Sequence, residues 1–153
     1  KEDCSTSNPS GFFLIDAKNA FNQISHVQMI WAARHLWPSC AQFLFNTYKH
    51  WGQLHIRSSD GNSSLIHSKE GVTQGDPLAM TAYGIGILPL IKHLQLEFPE
   101  LLHIWYADDA SIMGKQSQIL QYFECISFLG PDFGYFPAPK KCEMIVIRSV
   151  SNA

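Results

Sequence analysis

The chain has 153 residues, the size of one ordinary domain, and its content of 46% hydrophobic and 16% charged residues excludes a disordered tail. No apolar run approaches the ~20 residues that a bilayer crossing needs, so we expect a soluble protein without a membrane partner. Eleven Lys and Arg against 13 Asp and Glu give a net charge of −2, which excludes a protein whose main feature is a basic surface.

The cysteine pattern argues against a zinc site and against disulfides. Cys4, Cys40, Cys125 and Cys142 are far apart and form no CxxC pair. Nothing in the sequence marks a secreted protein, and a core of this size needs no covalent link. We expect buried thiols, and we expect the seven histidines to be surface or packing residues.

The first half of the chain predicts a strand, two helices and a hairpin after a polar connecting segment at residues 1–10. An apolar run of strand length stops at Asp16, and Ser25 can cap a helix whose apolar residues recur at spacings of three to five. Pro38 separates that helix from the next. The predicted elements are a strand over 11–15, helices over 25–36 and 39–49, and a hairpin that pairs 54–57 with 65–66.

The two helices carry most of the large aromatic residues. Val27, Ile30 and Trp31 mark the apolar side of the first helix. Aromatic residues in helical segments belong to the core more often than they stack on nucleic-acid bases. We therefore assign four of them to the core: Trp31, Trp37, Tyr48 and Trp51.

The second half predicts a long helix, another hairpin, a third amphipathic helix and a final strand. Residues 78–96 are apolar for too long to be a strand, and Pro89 within them predicts a bent or weakened helix. The remaining elements are a hairpin that pairs 101–106 with 110–113, a helix over 116–129 and a strand over 142–147. This order predicts an α+β fold with one antiparallel sheet and helices packed on one face.

Acidic residues stand at the ends of two buried strands. Asp16 follows the first strand, and Asp108 lies at the tip of the second hairpin. Carboxylates at such positions are costly unless they bind something, and two that converge repel each other unless a cation lies between them. Hard oxygen ligands suit Mg²⁺ or Mn²⁺, which indicates phosphoryl transfer by two metal ions. Any one of these residues, taken singly, could instead cap a turn. Asp109, taken by itself, is adequately explained as such a cap.

A third segment adds to these acids. Gln74 and Gly75 lie on a loop before the long helix, where glycine permits close backbone approach and Pro77 suits the first helical turn. Alone, this loop would be an ordinary helix start.

Together, these segments resemble reverse transcriptases. Residues 14–22 (LIDAKNAFN), 70–80 (EGVTQGDPLAM) and 105–110 (WYADDA) resemble motifs A, B and C, in that order, and residues 134–142 (GYFPAPKKC) resemble motif D. The likeness is greatest to the reverse-transcriptase domains of non-LTR (LINE-type) retrotransposons and related elements. It implies a polymerase palm over residues 11–150.

The resemblance implies a role for each matching catalytic residue. Asp16 and Asp108 would hold two Mg²⁺ or Mn²⁺ ions, with Asp109 as a less essential acid beside them. A primer 3′-hydroxyl would attack the α-phosphate of a deoxynucleoside triphosphate. Lys141, or its neighbour Lys140, would protonate the departing pyrophosphate; either could instead be a surface charge.

The resemblance also implies a nucleotide pocket. Phe21 matches the aromatic steric gate that lies where a ribose 2′-hydroxyl would be, and Ala20 would line the same pocket. Gln74 and Gly75 match the loop that approaches the templating base. The implied partners are an RNA template, a DNA primer, and the fingers and thumb regions of a longer parent chain.

Two other functions remain open on the sequence. The chain could be a catalytically silent relic that binds nucleic acid. It could also be an RNA-directed RNA polymerase, although such enzymes typically carry a polar or acidic residue where this chain has Phe21.

Overall fold

The structure is a computed structural model that describes residues 8–73 and 75–147. Cys4, Gln74, most of the predicted connecting segment and residues 148–150 of the predicted palm lie outside this range. The elements are β1 (Ser10–Ile15), α1 (Ala20–Gln23), α2 (His26–Leu36), α3 (Pro38–Tyr48), β2 (Gly52–Arg57), β3 (Ser63–Ser68), α4 (Ala79–Glu97), β4 (Leu102–Tyr106), β5 (Asp109–Lys115), α5 (Gln116–Leu129), a 3-10 turn (Gly130–Phe133) and β6 (Glu143–Ile147).

Four strands form an antiparallel sheet in the order β4-β5-β1-β6. Side chains alternate between the two faces of a strand, and Phe13, Ile15 and Ile112 are buried on the face that the helices cover. This arrangement confirms the predicted α+β fold. The hairpin of β2 and β3 forms a separate two-stranded sheet, so the expectation of a single sheet was wrong.

Helix α4 lies at the centre of the helical layer. It contributes Tyr83, Ile87, Leu90 and Leu94 to the core, all fully buried. The helix continues through Pro89 to Glu97. No helix in the described ranges is long and apolar enough to span a membrane.

The buried side of α2 is not the one that the sequence indicated. Met29, Ala32 and Ala33 are buried, whereas Val27 is 73% exposed and Trp31 52% exposed. Of the residues predicted for the apolar side, only Ile30 packs against the core, and it is half-buried. The cause is a close approach to α4, where a Cβ added to Gly86 would lie 3.2 Å from Met29 Cβ. Ala32 and Ala33 on α2 and Gly86 on α4 allow the two helices to pack at short range, so the opposite side of α2, with Val27 and Trp31, is left outside.

The assignment of four aromatic residues to the core was wrong for three of them. Tyr48 is buried, but Trp31, Trp37 and Trp51 are exposed. The cysteine expectation holds in part: Cys40, Cys125 and Cys142 are unpaired and half-buried. Cys4 is outside the described residues.

Candidate active site

The sheet topology brings the predicted acids to one end of the sheet. Strands β1 and β5 are neighbours, with Ile15 opposite Ala110, so Asp16 follows β1 where β5 begins. Tyr106 pairs with Asp109, which leaves Ala107 and Asp108 as the two-residue turn between β4 and β5. Ala107 adopts a positive φ of 52°, a conformation that favours glycine.

The negative charges of Asp16 and Asp108 act on the carboxylate of Asp109. The pKa of Asp109 is raised from its ordinary value, first by loss of solvation and then by the negative charges of Asp108 and Asp16. The positive charge of Lys141 acts in the opposite direction. Charges act on one another over several ångströms, so Asp16, Asp108 and Lys141 lie in the same region as Asp109, and we call these four residues the acidic cluster.

Lys141 contacts Asp16 directly. Its Nζ lies 3.3 Å from Asp16 Oδ2 and 3.4 Å from Oδ1, and 64% of the lysine side chain is exposed. An ion pair this open to water is weak and can separate when another charged group arrives. Of the two candidate lysines, Lys141 rather than Lys140 reaches the cluster.

The segment before β6 fixes the backbone beneath both acids. Tyr135 is fully buried, and its hydroxyl donates a 3.0 Å hydrogen bond to the carbonyl oxygen of Asp108. The backbone N–H of Ala138 donates to the carbonyl oxygen of Asp16 at 2.8 Å. Sequence reasoning missed Tyr135, because no local pattern links it to an acid 27 residues earlier.

Phe21 lies on α1 and packs against α4. Its ring stacks on the Tyr83 ring, with centroids 4.7 Å apart and planes at 24°. Burial raises the pKa of Tyr83, and the charges of Asp108 and Asp109 raise it further. The stack therefore joins the predicted gate to the acidic cluster through a residue that the sequence did not single out.

The predicted nucleotide-binding residues differ in accessibility. Phe21 is half-buried, but Ala20 is only 2% exposed and packs in the core, which argues against direct contact with a nucleotide. Gly75 is exposed, with a positive φ of 93° and open space around its Cα. Gln74 is outside the described residues.

The loop at residues 71–73 holds α1 in place through backbone hydrogen bonds. The N–H of Val72 donates to the carbonyl oxygen of Phe21 at 2.7 Å, and that of Gly71 donates to the carbonyl oxygen of Ile24 at 2.9 Å. Further along, Asp76 Oδ1 accepts from the N–H of Leu78 at 2.8 Å, just before α4 begins. The predicted motif B segment therefore supports the gate residue and starts the central helix.

The donor chemistry fits a hard divalent cation. Mg²⁺ is usually held by one or two carboxylates, with waters and substrate phosphates as its other ligands. Asp16 and Asp108 can supply two carboxylates. Within residues 8–73 and 75–147, however, no three His, Cys, Asp or Glu side chains lie close enough to hold an ion by themselves. The residues thus fit ions that bind together with a phosphate substrate.

Comparison with known proteins identifies the family. The family model described as reverse transcriptase (RNA-dependent DNA polymerase) matches residues 2–151. This chain belongs to that family. In the curated proteins compared, no sequence matches this reverse-transcriptase chain.

Solved telomerase structures share the fold of this chain. Telomerase from Candida albicans in complex with a TWJ fragment of telomeric RNA is 13% identical, with a TM-score of 0.67 over 95% of this chain and 28% of that one. Apo telomerase from Candida tropicalis is 11% identical, with a TM-score of 0.67 over 94% of this chain and 30% of that one. The chain thus spans less than a third of either telomerase.

Proposed function

We propose that this chain is the palm of an RNA-directed DNA polymerase, which adds deoxynucleotides to a primer 3′-hydroxyl on an RNA template. The observation that supports this most directly is the clustering of Asp16, Asp108, Asp109 and Lys141, which come from three distant parts of the chain. Family membership supports polymerase chemistry in general.

Each residue of the cluster has a task in this proposal. Two Mg²⁺ or Mn²⁺ ions, when held by Asp16 and Asp108, would supply the Lewis-acid chemistry of nucleotidyl transfer. Asp109 adds negative charge beside them. Lys141 leaves its weak contact with Asp16 as the triphosphate arrives, and it then donates a proton to the departing pyrophosphate. Phe21 excludes a ribose 2′-hydroxyl.

The finer assignment is to a non-LTR retroelement, and it rests on the likeness of residues 14–22, 70–80 and 105–110 to the motifs of that group. Fingers and thumb regions of a parent protein would grip the triphosphate and the duplex. We propose that the palm needs them for efficient synthesis.

The test is primer extension by the parent protein on an RNA template with deoxynucleotides and Mg²⁺. Replacing Asp108 with Asn keeps the shape of the side chain but removes its charge, so we expect extension to fall by about 10³-fold or more. Asp132→Asn is the matched control, because Asp132 is an exposed acid in the 3-10 turn.

Two results would reject the proposal. Extension that survives Asp108→Asn would show that the acid cluster is not the catalytic centre. A parent protein that carries intact fingers and thumb but never extends a primer would favour the catalytically silent alternative.

A further inference from the structure

The exposed tryptophans define a groove outside the acidic cluster. Trp31 of α2 and Trp51, between α3 and β2, are 52% and 58% exposed, and both line a cavity of about 430 Å³. Phe45 of α3 adds a third exposed ring. This volume lies within the range of ligand-binding clefts, roughly 300 to 1,000 Å³.

Positive charge surrounds these rings. Arg34, Lys49 and Lys69 line the same groove, although the chain as a whole carries a net charge of −2. Among the described lining residues the acid is Glu70, whose carboxylate accepts a 2.6 Å hydrogen bond from the His26 N–H at the start of α2. That bond and the positive end of the helix offset its charge.

The cations lie directly against the aromatic rings. Lys69 Nζ is 4.4 Å from the centroid of the Trp51 ring, and Lys49 Nζ is 5.4 Å from that of Phe45. Each lysine lies over one face of its ring, so a base that stacks on the opposite face, or that displaces the lysine, has a cation next to it. Proteins that bind single-stranded nucleic acid combine these two features, because bases stack on aromatic faces while Lys and Arg neutralise phosphates.

We propose that this groove, between α2, α3 and the base of the β2–β3 hairpin, binds an unpaired nucleic-acid strand. Its bases stack on Trp31 and Trp51, and its phosphates contact Arg34, Lys49 and Lys69. The inference rests on the proposed function, since a templated polymerase must hold an unpaired strand, and it adds the place where that strand lies.

The position of the groove agrees with this role. His26, Tyr48 and Glu70 also line a second depression, which extends to the loop at residues 71–73. In that loop the N–H of Val72 donates to the carbonyl oxygen of Phe21. The groove therefore continues, through this second depression, to the backbone segment that holds α1 in place.

The test is equilibrium binding without nucleotides, so that it does not depend on catalysis. The probe is a fluorescein-labelled oligouridylate of about 15 nucleotides, a length that matches known single-strand sites. Fluorescence anisotropy of the full chain is measured at several salt concentrations. We expect Trp51→Ala to weaken binding by about ten-fold. Phe128→Ala is the control, because Phe128 is an 81% exposed aromatic residue on α5 outside the groove.

A charge variant gives a second measurement. Log affinity falls as log salt concentration rises. Lys69→Gln should make this negative slope shallower by about 0.7, the value for one lost phosphate contact on a single strand. Lys115→Gln, at the end of β5, should leave the slope unchanged. Circular dichroism of each variant checks that the fold is intact.

The outcomes separate this inference from the polymerase proposal. Binding of the probe needs neither nucleotide nor metal ion, so a parent protein that fails to extend primers would reject the polymerase proposal without changing this measurement. The inference is overturned if the chain does not bind the probe, or if a duplex competitor displaces the probe as well as a single strand does. It is also overturned if Trp51→Ala and Phe128→Ala have the same affinity for the probe.

Discussion

Phe21 owes its position to contacts that its own helix cannot provide. Helix α1 has only four residues, which is too short to be stable by itself. The Tyr83 ring stacks on the Phe21 ring, and the backbone N–H of Val72 donates a hydrogen bond to the carbonyl oxygen of Phe21. These contacts hold Phe21 in place, as the proposed role of its ring as a steric barrier requires.

Replacing Phe21 with Ala should remove that barrier. In the primer-extension assay we expect the preference for deoxynucleotides over ribonucleotides to fall by about a hundred-fold, the scale at which a pocket discriminates by one hydroxyl group. The measurement is the ratio of kcat/KM for the two nucleotide types. Phe128→Ala should leave this ratio unchanged. If the unchanged protein prefers ribonucleotides, the RNA polymerase alternative replaces our proposal.

Single residues also mark where sequence reasoning was sufficient and where it was not. The motif resemblance singled out Asp16 and Asp108, and the fold places both at one end of the sheet. Adjacent Lys140 and Lys141 could not be separated, because only the three-dimensional position of Asp16 distinguishes them. The supporting role of Tyr83 was equally invisible, since it depends on a contact between two helices.

Turns and close helix contacts decide how the elements fit together. Gly134 follows the 3-10 turn with a positive φ of 78°, and a Cβ at this position would overlap the carbonyl oxygen of Gln23 at the end of α1. The N–H of Ser25 donates to the carbonyl oxygen of Phe133 at 3.1 Å in the same place. This contact joins the segment that carries Tyr135 to the segment that carries Phe21.

Gly134→Ala should therefore destabilise the protein by about 2–4 kcal/mol, since it combines an unfavourable φ with a backbone clash. Urea denaturation followed by circular dichroism measures the change. Gly84→Ala is the opposite control, because Gly84 lies within α4 with open space at its Cα, so alanine should stabilise the helix by about 0.5–1 kcal/mol. Equal stability of the two variants would contradict the packing described here.

Two errors in the predicted elements, the buried side of α2 and the missed helix α1, have physical causes that local sequence patterns do not show. In α2, residues 27, 30 and 31 and residues 29, 32 and 33 have the same helical spacing, so periodicity cannot decide which side is buried. The approach of α4 decides it in favour of the side with Ala32 and Ala33, where the two backbones can come close. Helix α1 was missed because it lacks a side-chain cap and begins after Asn19 in a left-handed conformation.

The acidic cluster exists only because the complete fold assembles it. Asp16, Asp108 and Lys141 come from the first strand, the central hairpin and the segment before the last strand. An unfolded chain keeps these groups apart, so the loss of solvation of the Asp109 carboxylate and its repulsion by Asp108 and Asp16 are costs of folding, which Lys141 partly offsets. The stability of the folded chain should therefore report on the charge state of the cluster.

Asp109→Asn tests this cost through its pH dependence. The pKa of Asp109 is raised above its ordinary value of 3.8 in the folded chain, so the folded state takes up a proton more readily than the unfolded state. At pH 7 the charged carboxylate disfavours folding, and Asn should raise the melting temperature slightly, by no more than about 2 °C for this exposed residue. The gain should shrink as the pH falls and vanish below about pH 4.

Lys141→Gln should have the opposite effect, because it removes the positive charge that offsets the repulsion at Asp109. Its melting temperature at neutral pH should be lower than that of the unchanged chain, whereas Asp132→Asn should leave the melting temperature unchanged. Calorimetry or circular dichroism between pH 4 and pH 7.5 gives the melting temperature of each of the three variants as a function of pH. If Asp109→Asn lowers the melting temperature at pH 7, loss of solvation and the neighbouring carboxylates do not disfavour the charged form of Asp109, and this support for the acidic cluster is lost.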